Sequence, residues 1–290
     1  MYKYMKPFVL STVMLCFSVM GIAGASPGNT AFTETESGKN FTAEQLAVKL
    51  QEYNVIFFGE FHDQREIHES EIALLKALYK IRGDKLALSM EMFEADNQAN
   101  VNEFLADKID EKTFLKLSRP WPNYKSDYAP LVNFAKEHKI PVIAANVPRF
   151  LAAHVAKNNA SLDGIDKQYK QWLPKNTYVL EGEYKKKFYN HMSSPDTPMK
   201  MTQQRLAAVY AAQCLKDDKM AESIAVFYDE DNERQILHIN GCFHSDGHLG
   251  TVQKLELLRP DLKVAVITPV ERKDADKKAA GEFIVWFDRK

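Results

Sequence analysis

Short apolar runs and longer amphipathic stretches alternate along most of this chain. The runs fall at residues 55–58, 86–90, 142–145, 236–239, 264–267 and 283–287. Each is short and rich in Val, Ile, Leu or Phe, the pattern of strands buried on both faces. Between the first two, "REIHESEIALLKALYKI" places Ile72, Leu75, Leu78 and Tyr79 close to helical spacing. Earlier, Thr42 followed by Glu44 and Gln45 caps a helix over "AEQLAVKLQEY". Strands alternating with helices predict an α/β fold, a mainly parallel sheet flanked by helices. The last two runs are close enough to form an edge hairpin or a return strand.

From about 150 to 200 the pattern changes. No strand-like run occurs there, and Tyr169, Trp172, Tyr178, Tyr184, Tyr189 and His191 stand among many lysines. This stretch reads as a helical insertion or subdomain. After it, "QQRLAAVYAAQCLKDDKMAESIAVFYDE" has no Pro or Gly and predicts one long helix. At the other end, residues 26–40, "SPGNTAFTETESGKN", are small and polar and read as a flexible leader. Before them, "MYKYMK" is a basic start, "PFVLSTVMLCFSVMGIA" is apolar, and Ala23-Gly24-Ala25 offers a small-residue cleavage site. Residues 1–25 therefore read as a secretory signal peptide, with a retained membrane anchor as the alternative. Leu15 makes Cys16 a poor lipoprotein site. The expectation is an exported protein, periplasmic or associated with the cell envelope, with one α/β domain over 41–290.

Composition adds limits rather than an activity. The 290 residues are 45% hydrophobic and 27% charged, enough for a sizeable core. The formal net charge of −1 supplies no basic field, so nucleic acid is not an expected partner. Beyond the signal, Cys214 and Cys242 are the two remaining cysteines. They could pair in an oxidising compartment, but they form no C-x-x-C zinc motif.

The chemistry concentrates where strands end. "VIFFGEFHDQ" and "ILHINGCFHSDGH" both run an apolar strand into Gly-x-Phe-His, ending in His62 and His244. In an open α/β sheet, ligands sit outside the carboxyl ends of the strands. That rim would carry Glu60, His62, Glu91 and His244, a sufficient set for a divalent transition metal that polarises an electrophile or activates water. Glu94 reads instead as a solvated helix-start residue, His68 and His248 as surface groups, and His238 as a core histidine.

"GEFHD", "SMEMFEADNQ", "RPWPNYKSDYAPLVNFAKEHKIPVIAANVPR", "AAQCLKDDKMAESI" and "HINGCFH" occur in this order. Over about residues 45–270 the chain thereby resembles the ChaN-type haem-binding uptake family of the Tiki/TraB/erythromycin-esterase superfamily. The resemblance implies an α/β core with a helical subdomain and a cell-envelope role in haem-iron uptake. It also implies a homodimer formed on haem binding, with two stacked haems and an outer-membrane haem receptor as a partner. A tyrosine of one subunit would ligate iron while a histidine of the other bonds the propionates. "EGEYKKKFYNHM" offers Tyr184, Tyr189 and His191 for these roles, with Lys185, Lys186 and Lys187 alongside. The wider superfamily includes metalloproteases and a hydrolase whose paired Gly-x-x-His motifs and glutamates match Glu60, His62, Glu91 and His244. A divalent-metal-dependent hydrolase is therefore the alternative function. Asn146, Arg149, Gln213 and Asp217 also match family positions, in supporting roles.

Overall fold

A computed structural model of the chain describes residues 32–194, 201–276 and 279–289. All six apolar runs become strands: β3 (Val55–Glu60), β4 (Leu86–Glu94), β5 (Val142–Asn146), β6 (Gln235–Gly241), β7 (Val264–Glu271) and β8 (Phe283–Phe287). Two short strands precede them, β1 (Phe32–Glu34) and β2 (Asn40–Phe41). The eight form one sheet in the order β2-β1-β8-β7-β3-β6-β4-β5. From β8 to β5 every neighbouring pair is parallel, while β1 runs antiparallel to both β8 and β2.

Helices cover both faces. Thr42 opens α1 (Ala43–Lys49), its side chain accepting from Gln45 N while the Gln45 side chain accepts from Thr42 N. With α2 (Arg65–Arg82), α3 (Gln98–Leu105), α4 (Glu111–Ser118) and α5 (Ala129–Glu137), it packs over one face, against Ile56, Phe58, Leu88, Met90, Leu237 and Ile239. After α6 (Arg149–Lys157) and α7 (Glu183–Met192), helices α8 (Gln203–Glu230) and α9 (Thr251–Leu258) cover the other face. Their apolar residues meet Val55, Phe57, Ala87 and Ile236. Period-two alternation thus sends even positions of β3 toward α2 and odd positions toward α8.

Central strands β3 and β6 pair in register, Gly59 opposite Asn240 and Glu60 opposite Gly241. The chain leaves β3 through α2 toward β4 and leaves β6 through α9 toward β7, on opposite sides. Such a divergence opens a crevice at the carboxyl ends of the strands.

Three expectations need correction. The leader over 26–40 is in part ordered: Phe32 is fully buried edge-on to Phe58, and Trp286 Nε1 donates to Thr33 Oγ1 at 2.7 Å. Average composition hid this single aromatic anchor; residues 1–25, the expected signal, and 26–31 lie outside the described residues. Strands β7 and β8 are parallel neighbours rather than a hairpin, with Ile267 opposite Phe283. Just before β8, a Cβ on Gly281 would stand 2.5 Å from the Val266 carbonyl oxygen. Nor is β8 an edge strand, because β1 covers it. Between 149 and 194 the described residues form α6, a 3₁₀ turn at Lys167–Trp172 and α7, with no strand. None of the described helices is long and apolar enough to cross a membrane.

Candidate functional site

Glu60 ends β3 on the α2 face and is buried. Its Oε1 accepts from Tyr128 Oη at 2.8 Å and from His62 Nδ1, a very short contact. Its Oε2 lies 3.2 Å from His68 Nδ1, which also meets Glu71 Oε2 at 3.1 Å. Both partners come from the first turns of α2. Burial alone would raise the Glu60 carboxyl, but the His62 and His68 hydrogen bonds outweigh it and hold it down at about 2. His68 is driven the other way, up to about 11, because its bonds to Glu60 and Glu71 overcome burial. Burial and the charge of Glu60 push Glu71 well above the usual carboxylate range.

The second group sits on the α8 face. Glu91, in line with Ala87 and Ser89 along β4, accepts from Gly241 N at 2.8 Å through Oε2 and lies 3.4 Å from His244 Nε2 through Oε1. His244 Nδ1 bonds Asp217 Oδ1 on α8 at 2.6 Å. Asp217 is fully buried and also accepts from Thr251 Oγ1 at 2.8 Å and Tyr184 Oη at 2.7 Å. Three donors offset the cost of burying that carboxylate. Burial would depress His244, yet the charges of Glu91 and Asp217 push it up to about 10. In turn the His244 charge, against burial, holds Glu91 well below the ordinary range.

Gly241 is where the groups meet. A Cβ there would lie 2.8 Å from His62 Nε2 and 3.6 Å from Glu91 Oε2, so only glycine lets the His62 ring close over β6. Trp121 covers that ring edge-on, with centroids 4.7 Å apart. The structure therefore brings Glu60, His62, Glu91 and His244 to one rim, as two hydrogen-bonded sets that meet over Gly241. Held at Nδ1 by Glu60, His62 presents Nε2 to the crevice, an arrangement suited to moving a proton.

The insertion candidates separate. Tyr184 is fully buried, and its phenol is locked on Asp217; burial and that carboxylate raise it well above the ordinary tyrosine range. It belongs to the His244 set. Tyr189 is half-buried and His191 exposed on α7. They border an aromatic cluster of Phe188, Tyr210 and Phe243, with Tyr189 and Tyr210 centroids at 5.9 Å and His191 and Phe243 centroids at 5.8 Å. Lys187 Nζ stands 4.6 Å from the Phe243 ring centre, while Lys185 and Lys186 pair with Glu181 and Glu183.

A family model described as haem-binding uptake, Tiki superfamily, ChaN matches residues 46–255. The chain belongs to this family. Its fold agrees: the structure titled cofacial heme binding to ChaN of Campylobacter jejuni covers 91% of this chain and 98% of its own, at TM-score 0.69 and 17% identity. A mutant erythromycin esterase in its open conformation covers 83% of this chain and 77% of its own, at TM-score 0.50 and 12% identity. At such identities the likeness is one of fold. No curated protein matches.

Other residues of this ChaN-family chain stand differently from their sequence reading. His68, expected at the surface, is buried in the Glu60 set, and Glu71 was not foreseen there at all. Both occupy the buried stripe of α2 beside Ile67, Leu74, Leu75 and Leu78, and polar residues at core spacing were the available signal. Glu94 is buried at the end of β4, bonded by Arg149 and by Arg119 Nη2 at 2.9 Å, rather than solvated at a helix start. Asn146 Nδ2 donates to the Glu91 carbonyl at 3.2 Å, and Gln213 Nε2 lies 3.1 Å from His244 Nε2. His238 is buried against Ser89 Oγ at 2.8 Å. Cys214 and Cys242 are both free thiols.

Proposed function

We propose that this chain binds ferric haem on the outer side of α7, as a cell-envelope protein of haem-iron uptake. The observation that carries the reading is the aromatic surface around Tyr189 and His191, set in a chain of a haem-binding family. A porphyrin needs apolar cover, an iron ligand and partners for its propionates. Phe243 and the Tyr189 ring supply aromatic cover over a buried base of Phe188 and Tyr210, Tyr189 also a phenol that suits ferric iron, and His191 with Lys187 polar partners. A half-buried phenol can reach iron without breaking into the core, as Tyr184 cannot. Two such surfaces facing each other would stack two haems, so the homodimer is proposed to form on loading. Delivery from an outer-membrane haem receptor fits the same role. Export through residues 1–25 would leave a mature chain beginning at Ser26.

Titration of the mature protein with ferric haem, followed by Soret absorbance and sedimentation, tests this. Saturation at one haem per chain with a shift from monomer to dimer is expected. Linear, unsaturable absorbance with unchanged sedimentation would refute it. A second reading, hydrolysis at the Gly-x-Phe-His rim, is favoured by the Glu60-anchored His62 with Nε2 facing the crevice. It requires ester turnover that His62→Gln abolishes while haem affinity is kept.

A further inference from the structure

Glu60, His68 and Glu71 meet where the end of β3 faces the start of α2. All three are buried, and one ligand atom from each lies within 4.8 Å of the others. His68 Nδ1 stands 3.2 Å from Glu60 Oε2 and 3.1 Å from Glu71 Oε2. Ligands bonded at roughly 2.1 Å in a tetrahedron are about 3.4 Å apart, so a small outward movement would admit an ion. A second observation is independent of these distances. Glu71 Oε1 is buried with no hydrogen-bond partner, although buried carboxylate oxygens are ordinarily satisfied.

The surroundings match those of a metal ligand set. His68 Nε2 lies 3.3 Å from the His62 carbonyl, which leaves Nδ1 for an ion. Asn123 Nδ2 donates to the same carbonyl at 2.8 Å. Tyr128 Oη holds Glu60 by its other oxygen, at 2.8 Å. Outer hydrogen bonds of this kind fix the tautomer and direction of ligating imidazoles and carboxylates. His68 and Glu71 are three positions apart on one face of α2, a spacing that lets a helix give two ligands to one ion.

We propose that Glu60, His68 and Glu71 form a buried site for a divalent first-row transition metal, with one further coordination position for water. One imidazole nitrogen and two carboxylate oxygens suit Zn²⁺, Fe²⁺, Mn²⁺ or Co²⁺. Two carboxylates and a neutral imidazole would balance the charge of the ion. The site is separate from α7 and does not depend on haem binding. It would clamp α2 to the end of β3 and thereby fix Glu60, the residue that orients His62.

The competing arrangement satisfies the same groups with protons, one carboxyl protonated and His68 cationic. Glu71→Gln separates the two, because an amide keeps the shape and a donor of a protonated carboxyl but is a poor metal ligand. Chelator-treated parent, Glu71→Gln and His68→Gln are each titrated with Co²⁺ alone, following visible absorption and bound metal per chain, with thermal melting in parallel. The parent should take up one Co²⁺ per chain with a rise in Tm. Glu71→Gln should melt like the metal-free parent, yet its Co²⁺ affinity should fall by more than the roughly 10–100-fold that loss of an outer partner costs. No stoichiometric uptake by the parent, or equal uptake by parent and both variants, would overturn the proposal.

Discussion

Tyr184 and Tyr189 lie five positions apart on α7 and face opposite environments. Tyr184 reaches inward to Asp217 and fills space beneath Gly250, where a Cβ would come within 3.0 Å of its hydroxyl oxygen. Removing that oxygen leaves Asp217 with two donors and a buried, less satisfied lone pair. Tyr184→Phe should therefore lower stability by about 1–3 kcal/mol in urea unfolding. At this scale the sequence was legible where a rule of spelling applied. Two Gly-x-Phe-His stretches marked Glu60, His62 and His244, and each does sit at the end of a central strand. His68 and Glu71 were illegible for a physical reason: polar side chains on a helix ordinarily face water, and only the packing of α2 against the end of β3 gives them Glu60 as a partner. The inward turn of Tyr184 was not legible either, because aromatic composition does not say which side of a helix faces the core.

Among elements, the six longer strands were readable because each carries a largely apolar run buried against helices. The β1–β2 pair was not, since three- and two-residue strands carry no periodicity to read. The parallel β7–β8 pairing escaped for another reason, because nearness in the chain suggests a hairpin and the close approach of Gly281 to Val266 leaves no periodic trace. His248, expected at the surface and found half-buried, braces the start of β8. Its Nε2 meets Glu282 at 2.8 Å, just before β8, and its Nδ1 meets Glu256 of α9 at 3.1 Å. The Glu282 hydrogen bond, working against burial and helped by Glu256, raises His248 from 6.5 to about 9. A folded-state value above the unfolded one gives stability that is complete below 6.5 and lost as pH rises through about 9. The urea midpoint of the parent should fall across that window. His248→Gln should start lower and change less, so the two curves converge at high pH. Parallel curves across the window would contradict this assignment.

In the whole molecule, three groups of residues are arranged around one sheet. Its α2 face carries the Glu60 set, its α8 face carries the Asp217–His244–Glu91 set, and α7 displays the aromatic surface proposed for haem. The first two follow from strand alternation and from the divergence of the chain after β3 and β6, both foreseeable from the apolar pattern. The haem surface does not, because a porphyrin face leaves no periodic signature and family membership alone pointed to it. The most direct measurement is the optical spectrum of ferric haem bound to the parent, to Tyr184→Phe and to Tyr189→Phe, each at saturation. The account predicts that Tyr189→Phe loses the phenolate-ligated spectrum and binds weakly, while Tyr184→Phe keeps the parent spectrum despite its lower stability. A changed spectrum in Tyr184→Phe with Tyr189→Phe indistinguishable from the parent would contradict it.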